Sequence, residues 1–225
     1  IYMQRTGGGL LSPAWLFCRR CIDSLWKMLN SAVLTQRDTE LLVDKTIVKV
    51  EDTLKAFGDI AKYYKQKYNV PTVSVTGSVG KTTTKDMLAS VLSQKYNTLK
   101  TMGNFNNEIG LPITIFGLKK EHEAAVLEMG MNHFGEIEHL ADIGRPDVAV
   151  ITNIGQSHIE NLGSREGIFK AKMEMTKLFT KDNILVAYTA DEEGYGRLPV
   201  ELRTFKAGLL EGSGKKYAFS FEAGN

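Results

Sequence analysis

The residues best suited to chemistry lie in Thr76-Gly77-Ser78-Val79-Gly80-Lys81-Thr82-Thr83-Thr84. An apolar run, Val73 to Val75, precedes this stretch, and a helix-like segment, Lys85 to Gln94, follows it. A strand, a glycine loop and a helix in that order make an anion site, because loop N–H groups and the positive end of the helix converge on one point. In such a loop Lys81 reaches the terminal phosphates of a nucleoside triphosphate, and the Thr82 hydroxyl is placed for Mg²⁺. The generic phosphate-loop pattern wants a glycine five residues before Gly80, and Val75 stands there, so this is a compact variant. A Gly-Lys-Thr triplet alone is as well explained by a surface turn; the flanking strand and helix are what favour the phosphate loop.

Four other segments carry candidate groups. Glu128 stands near the end of the apolar run Ala124 to Met129. A carboxylate there is costly unless paired or metal-bound. A neighbouring lysine or backbone N–H would satisfy it, but beside a phosphate loop a Mg²⁺ ligand is the better reading. His158 lies in the loop after a second apolar run, Val148 to Ile154, where a surface histidine and a functional one are equally good readings. In Phe169-Lys170-Ala171-Lys172-Met173-Glu174, helical spacing puts Ile168, Lys172 and Met175 on one face. A lysine beside such a stripe ordinarily snorkels to water, so spacing alone does not make Lys172 a site residue. Gly103 to Pro112 is dense in Asn and Gly, either a plain turn or an amide-rich wall facing phosphate or substrate.

These groups need a scaffold that brings distant segments together. Thr46 to Val50 reads as a short strand. Asp52 or Thr53 is placed to cap a helix with Leu54, Phe57, Ile60, Ala61 and Tyr64 at helical spacing. Further strands are expected at Thr72 to Val75, Thr98 to Thr101, Ala124 to Met129, Val148 to Ile154 and Asn183 to Tyr188. Helices are expected at Lys85 to Gln94, Gly135 to Ile143 and Ser164 to Leu178. Apolar strands alternating with helices imply an α/β fold, a mostly parallel sheet with helices on both faces. Ligands of such sheets bind at the carboxyl ends of the strands, where every candidate above falls.

Composition excludes several classes. The chain has 225 residues, 43% hydrophobic and 24% charged, with a formal net charge of +2. That balance argues for no nucleic-acid partner and no membrane surface. The segment Leu10 to Leu34 is interrupted by Arg19, Arg20, Asp23 and Lys27, so neither a membrane span nor a clean signal peptide is expected. The two cysteines, Cys18 and Cys21, form a lone C-x-x-C. Free thiols in a reducing compartment are favoured over a redox pair or half a zinc site, since the four histidines all lie far downstream.

Taken together, TGSVGKTTTKDM, TMGNFNNEIGLPIT, EMGMNHFGEI and ITNIGQSHIENLGSREGIFKAKMEM closely resemble the central domain of the Mur ligases of peptidoglycan synthesis, in that domain's order. EDTLKAFGDIAKYYKQKYNVP resembles the helix that leads into it, and the resemblance covers about residues 44 to 192. EMGMNHFGEI and TTTKDM point to the member that joins D-alanyl-D-alanine to UDP-N-acetylmuramoyl-tripeptide. The resemblance implies a phosphate-loop fold and an ATP-dependent amide ligase in the bacterial cytoplasm, monomeric and acting on small molecules. ATP would phosphorylate a substrate carboxylate, and an amine would displace phosphate from the acyl phosphate. Two Mg²⁺ ions would neutralise charge on the transferring phosphoryl group. By resemblance, Thr82 and Glu128 hold one ion, while Glu128, His158 and a carbamylated Lys172 serve the other. Lys172 is chosen over Lys170 because it fits the family's A-K-x-E-like pattern. Lys81, Lys172 and His158 are the catalytic candidates; Thr76 to Thr83, Asn107 and Asn153 are the nucleotide-side ones.

The resemblance also sets limits. Residues upstream of Asp44 do not resemble the family's uridine-nucleotide-binding domain, and residues 193 to 225 match weakly. The expected organisation is an unassigned segment over 1–43, a linker strand and helix over 44–70, and the central domain over 71–225, truncated at both ends. Two other functions stay open on the sequence: a non-catalytic nucleotide-binding fragment, and a simple phosphate-loop ATPase or kinase.

Overall fold

The computed structural model describes residues 32–36, 46–188, 203–207 and 222–223. The glycine run at 7–9, the Cys18/Cys21 pair and most of residues 189–225 lie outside the described residues. The chain forms two compact units, residues 1–57 and 58–225. In the first, β1 (Ala32–Thr35) and β2 (Thr46–Lys49) pair in parallel. Helix α1 (Thr53–Gln66) begins in this unit, and the Asp52 carboxylate accepts from Leu54 N at 2.8 Å and Lys55 N at 2.9 Å. Asp52 is therefore the cap that the sequence left undecided between two residues.

The second unit is built on β3 (Thr72–Thr76), β4 (Thr98–Lys100), β5 (Ala124–Glu128), β6 (Val148–Ile151), β7 (Ile184–Tyr188), β8 (Arg203–Ala207) and β9 (Glu222–Ala223). They form one sheet in the order β4-β5-β3-β6-β7-β8-β9. Only β9 runs antiparallel to its neighbour. Its helices are the rest of α1, α2 (Lys81–Leu92), α3 (Gly110–Ile115), α4 (Glu136–Gly144), α5 (Ile159–Leu162) and α6 (Arg165–Met173), followed by a 3₁₀ turn, Glu174–Thr176. The sheet and helices are the expected mostly parallel α/β architecture.

Period-two alternation sorts the strand residues between the two faces. On one face Val75 and Val126 pack with Ala89, Leu88 and Leu92 of α2. On the other, Ala125, Leu127 and Met129 join a large core with Leu111, Ile115, Ile137, Leu140, Ile168 and Met175. Glu128 shares parity with Val126, so its side chain falls on the α2 face. Strand β3 lies between β5 and β6, with Val75 opposite Glu128 and Thr76 opposite Ile151. The chain leaves β3 toward one side and later returns to the other, so the carboxyl end of β3 is a topological switch point.

Two of the elements that differ from the sequence expectation border the glycine loop and Glu128. Helix α2 starts at Lys81, not Lys85: Gly80 adopts a left-handed conformation (φ 81°) that ends the loop abruptly, and the helix begins on the next residue. The segment 103–112 is not all loop, because it runs into α3. There Asn107 Oδ1 accepts from Gly110 N at 2.9 Å and Ile109 N at 3.2 Å. A Cβ at Gly110 would lie 2.4 Å from Phe105 Cα, so the turn requires glycine. Among the described residues, no helix is long and apolar enough to cross a membrane.

Candidate active site

The carboxyl end of β6 holds the glycine loop in shape. Asn153 Oδ1 accepts from Ser78 N and Val79 N, each at 3.0 Å. Thr152 Oγ1 donates to Val79 O at 2.6 Å, and Gly155 N donates to Ser78 Oγ at 2.8 Å. The backbones approach so closely that a Cβ on Gly77 would sit 1.8 Å from Thr152 Oγ1. Lys81 Nζ folds back to Gly77 O at 2.9 Å. Thr84 N donates to Gly80 O at 2.9 Å, so the N–H groups of Lys81, Thr82 and Thr83 precede the first intrahelical bond and face the loop. Thr82, Thr83, Val79 and Gly80 are exposed, while Thr76, Gly77 and Ser78 are buried.

Glu128 stands beside this loop and is 1% exposed. Asn106 Nδ2 donates to its Oε1 at 2.8 Å, and its backbone N donates to Thr101 Oγ1 at 3.0 Å. Oε2 is buried without a hydrogen bond, and the Lys85 ammonium stands 3.8 Å from it. Glu128 thus faces a lysine, and one of its oxygens keeps its lone pairs free.

Lys172 is 2% exposed, between Ile168, Ala171 and Met175, which are fully buried. The expected snorkelling does not occur, because α6 places Lys172 on its inner face. Burial, with a smaller contribution from the charge of Lys81, brings its ammonium down to a pKa of about 8. Among the described residues no carboxylate pairs with it. Lys170, by contrast, is exposed and pairs with Glu166 at 2.7 Å across one turn. The electrostatic effect of Lys81 on Lys172 links α6 to the loop.

His158 is half-buried and caps α5 with a left-handed backbone (φ 66°), an uncommon conformation for a non-glycine residue. Among the described residues no three His, Cys, Asp or Glu side chains converge as a metal site. Asn107 is exposed and caps α3 through its oxygen. Asn153 braces the loop from beneath. Neither Lys85 nor Asn106 nor Thr152 was among the sequence-predicted site residues, although Asn106 lies in the amide-rich segment 103–112 and Thr152 precedes Asn153. Lys85 had a signal: it occupies an apolar-stripe position with Leu88, Ala89 and Leu92. Asn106 and Thr152 lay beside residues that were singled out, but their own partners are distant in sequence.

Residues 75–218 match the model of the Mur ligase middle domain. The chain belongs to the Mur ligase family. It is 51% identical over 146 residues to the UDP-N-acetylmuramoyl-tripeptide--D-alanyl-D-alanine ligase of Bacillus subtilis, covering 65% of this chain and 32% of that one. To the enzyme of the same name from Synechocystis it is 44% identical over 176 residues, 74% of this chain and 38% of that one. The crystal structure of MurF ligase from Thermotoga maritima in complex with ADP superposes with a TM-score of 0.72 at 37% identity, covering 79% of this chain and 41% of that one. The chain spans about a third of the length of the curated relatives it matches.

The matched region contains every sequence-predicted site residue of this Mur ligase chain. Those residues come from the ends of β3, β5 and β6, from α2 and α6, and from the turns that enter α3 (Asn107) and α5 (His158).

Proposed function

We propose that this chain carries the nucleotide-handling centre of an ATP-dependent amide ligase of peptidoglycan precursor synthesis, which joins D-alanyl-D-alanine to UDP-N-acetylmuramoyl-tripeptide. The observation that carries the reading is the braced glycine loop at the switch point of the sheet, with Glu128 and Lys172 buried beside it. A tripeptide carboxylate oxygen attacks the γ-phosphorus of ATP, the bond to the bridging oxygen breaks, and ADP leaves. The amine of the dipeptide attacks the acyl carbon and loses a proton, and phosphate departs from the tetrahedral intermediate.

Each residue has a task in that scheme. The N–H groups at the start of α2 hold phosphate oxygens. Lys81 turns from Gly77 O to the terminal phosphates. Asn153 and Thr152 hold the loop in shape, and Asn107 borders the substrate side. The donor set suits a hard cation: Glu128 offers a buried oxygen free of hydrogen bonds, and Thr82 a hydroxyl. When bound, Mg²⁺ would screen the charge on the transferring phosphoryl group. His158 and Lys172 would serve a second ion, Lys172 after carbamylation. There the neutral amine adds to CO₂, a C–N bond forms and a proton is lost. Burial lowers the pKa of this ammonium and so supplies the neutral amine that adds to CO₂. On this reading the protein works in the bacterial cytoplasm and as a monomer.

A phosphate-release assay separates the readings. The ligase reading requires release that depends on both the tripeptide nucleotide and the dipeptide, and that falls on Lys172→Ala. A simple ATPase or kinase would release or transfer phosphate without the dipeptide and would ignore that substitution. ADP binding without turnover under any condition would leave a nucleotide-binding module and sink the ligase. Carbamylation predicts a carbamate carbon resonance in ¹³C-bicarbonate that is absent in Lys172→Met.

A further inference from the structure

Helix α2 packs on the sheet through Lys85, Leu88, Ala89 and Leu92, and Lys85 is the charged member of that stripe. It is 1% exposed. Its ammonium donates to Gly103 O at 3.4 Å and stands 3.5 Å from Asp86 and 3.8 Å from Glu128 Oε2. None of these is a short contact. Asp86 is half-exposed and is held by Lys100 at 2.8 Å. Lys85 and Glu128 are therefore each other's buried counter-charge. Glu128 is also held from the other side, because Asn106 takes Oε1 and is itself pinned: Gly130 N donates to Asn106 O at 2.8 Å.

This arrangement aims Glu128 Oε2 without satisfying it, and it places a fixed positive charge beside the one free oxygen. A bare divalent cation approaching Oε2 meets that charge in a water-poor site, where repulsion is strong. A cation that arrives with a polyphosphate does not, because the phosphates screen it and are themselves attracted to Lys85. We propose that Lys85 is a positioning residue that makes divalent-metal binding at Glu128 conditional on nucleotide. The inference rests on the reading of Glu128 as a metal ligand beside a nucleotide loop, and deepens it. Lys85 holds the carboxylate in place, raises the barrier to free metal, and couples metal to nucleotide.

The test is calorimetric titration of the full chain with Mn²⁺ alone, ADP alone, and each in the presence of the other. In the wild type, saturating ADP should tighten Mn²⁺ binding at least about tenfold, a difference of about 1.4 kcal/mol. Lys85→Gln should bind Mn²⁺ alone several-fold tighter and ADP alone more weakly, with the gain from ADP reduced below about threefold. A merely structural lysine would weaken both ligands and leave the coupling intact, and that result overturns the proposal. Glu128→Gln leaves the Lys85 ammonium without its buried counter-charge, so its folding is verified by urea unfolding before titration. It should lose the ADP-dependent gain in Mn²⁺ affinity while still binding ADP. Retention of that gain in Glu128→Gln, or a wild type indifferent to ADP, also overturns the proposal. A wild type that binds no ADP overturns the nucleotide reading itself, and this inference with it.

Discussion

The two ends of the central strands treat buried polar groups in opposite ways. At the amino ends, Asp147 Oδ2 accepts from Thr72 N at 2.7 Å, and Thr72 Oγ1 and Lys65 Nζ both donate to Val70 O, at 2.9 and 3.1 Å. At the carboxyl ends, Thr76 Oγ1 and Glu128 Oε2 are buried without a hydrogen bond. Two buried lysines make the contrast plain. Burial lowers the pKa of both, but the charge of Asp147 partly restores that of Lys65, while the charge of Lys81 lowers that of Lys172 further. A buried polar group that is satisfied holds the fold together; one left unsatisfied costs stability and is kept where something else uses it. Ser74 Oγ, in the middle of β3, is also unpartnered, and nothing in the structure explains it.

The largest effect should follow from Gly77→Ala. The new Cβ collides with Thr152 at a backbone angle (φ 150°) that suits glycine. Strain and overpacking of about 3 kcal/mol should weaken ADP binding about 100-fold. Calorimetry that finds near-normal affinity would refute the braced loop.

At the opposite end of the sheet, Asp147→Ala should destabilise the protein by about 1–3 kcal/mol in urea, because it leaves the Thr72 N–H without its acceptor. ADP affinity should not change; a parallel loss of affinity would dissolve the distinction between the two ends.

Lys172→Met should run the other way, gaining on the order of 1 kcal/mol of stability by removing a desolvated charge, while the proposed ligase turnover disappears. The pH dependence has a definite sign. An unfolded lysine titrates near 10.5 and the folded one near 8, so between those values the unfolded chain holds a proton that the folded chain lacks. Raising pH through that window should therefore stabilise the wild type, and below about pH 8 the full penalty applies. Urea midpoints of the Met variant should lack this rise; a rise of equal size in both proteins would assign it elsewhere.

The smallest change is expected for Asn153→Ala. It removes a neutral acceptor from two loop N–H groups, worth about 0.5–1.5 kcal/mol, so ADP should bind a few-fold more weakly. An unaltered affinity would show that Thr152 and Ser78 suffice to hold the loop.

Much of the fold was legible because its signals are local. The runs at Ala124 and Val148 are strands because both faces of the sheet are covered, and the glycine loop announces itself between a strand and a helix. The start of α2 was misjudged because threonines at 82–84 have modest helix propensity, whereas Gly80 and packing on the sheet decide the matter. Helix α3 was missed because Asn and Gly resemble a turn until Asn107 is seen capping it. At the site, Glu128 stood out as a charge inside an apolar run. Lys85 carried an equivalent signal at helical spacing, but one masked by the adjacent loop.

By itself the sequence determined the phosphate loop, the family and the alternation of the central strands with the longer helices, because glycine placement and apolar periodicity act over a few residues. Tertiary structure alone decided which charges are paired. It placed Lys85 against Glu128, set Asn106 on its other oxygen, closed Thr152 and Asn153 over the loop, and turned Lys172 inward. Those contacts join residues tens of positions apart, and their energetics depend on how completely the assembled sheet and helices exclude water, which no local pattern records.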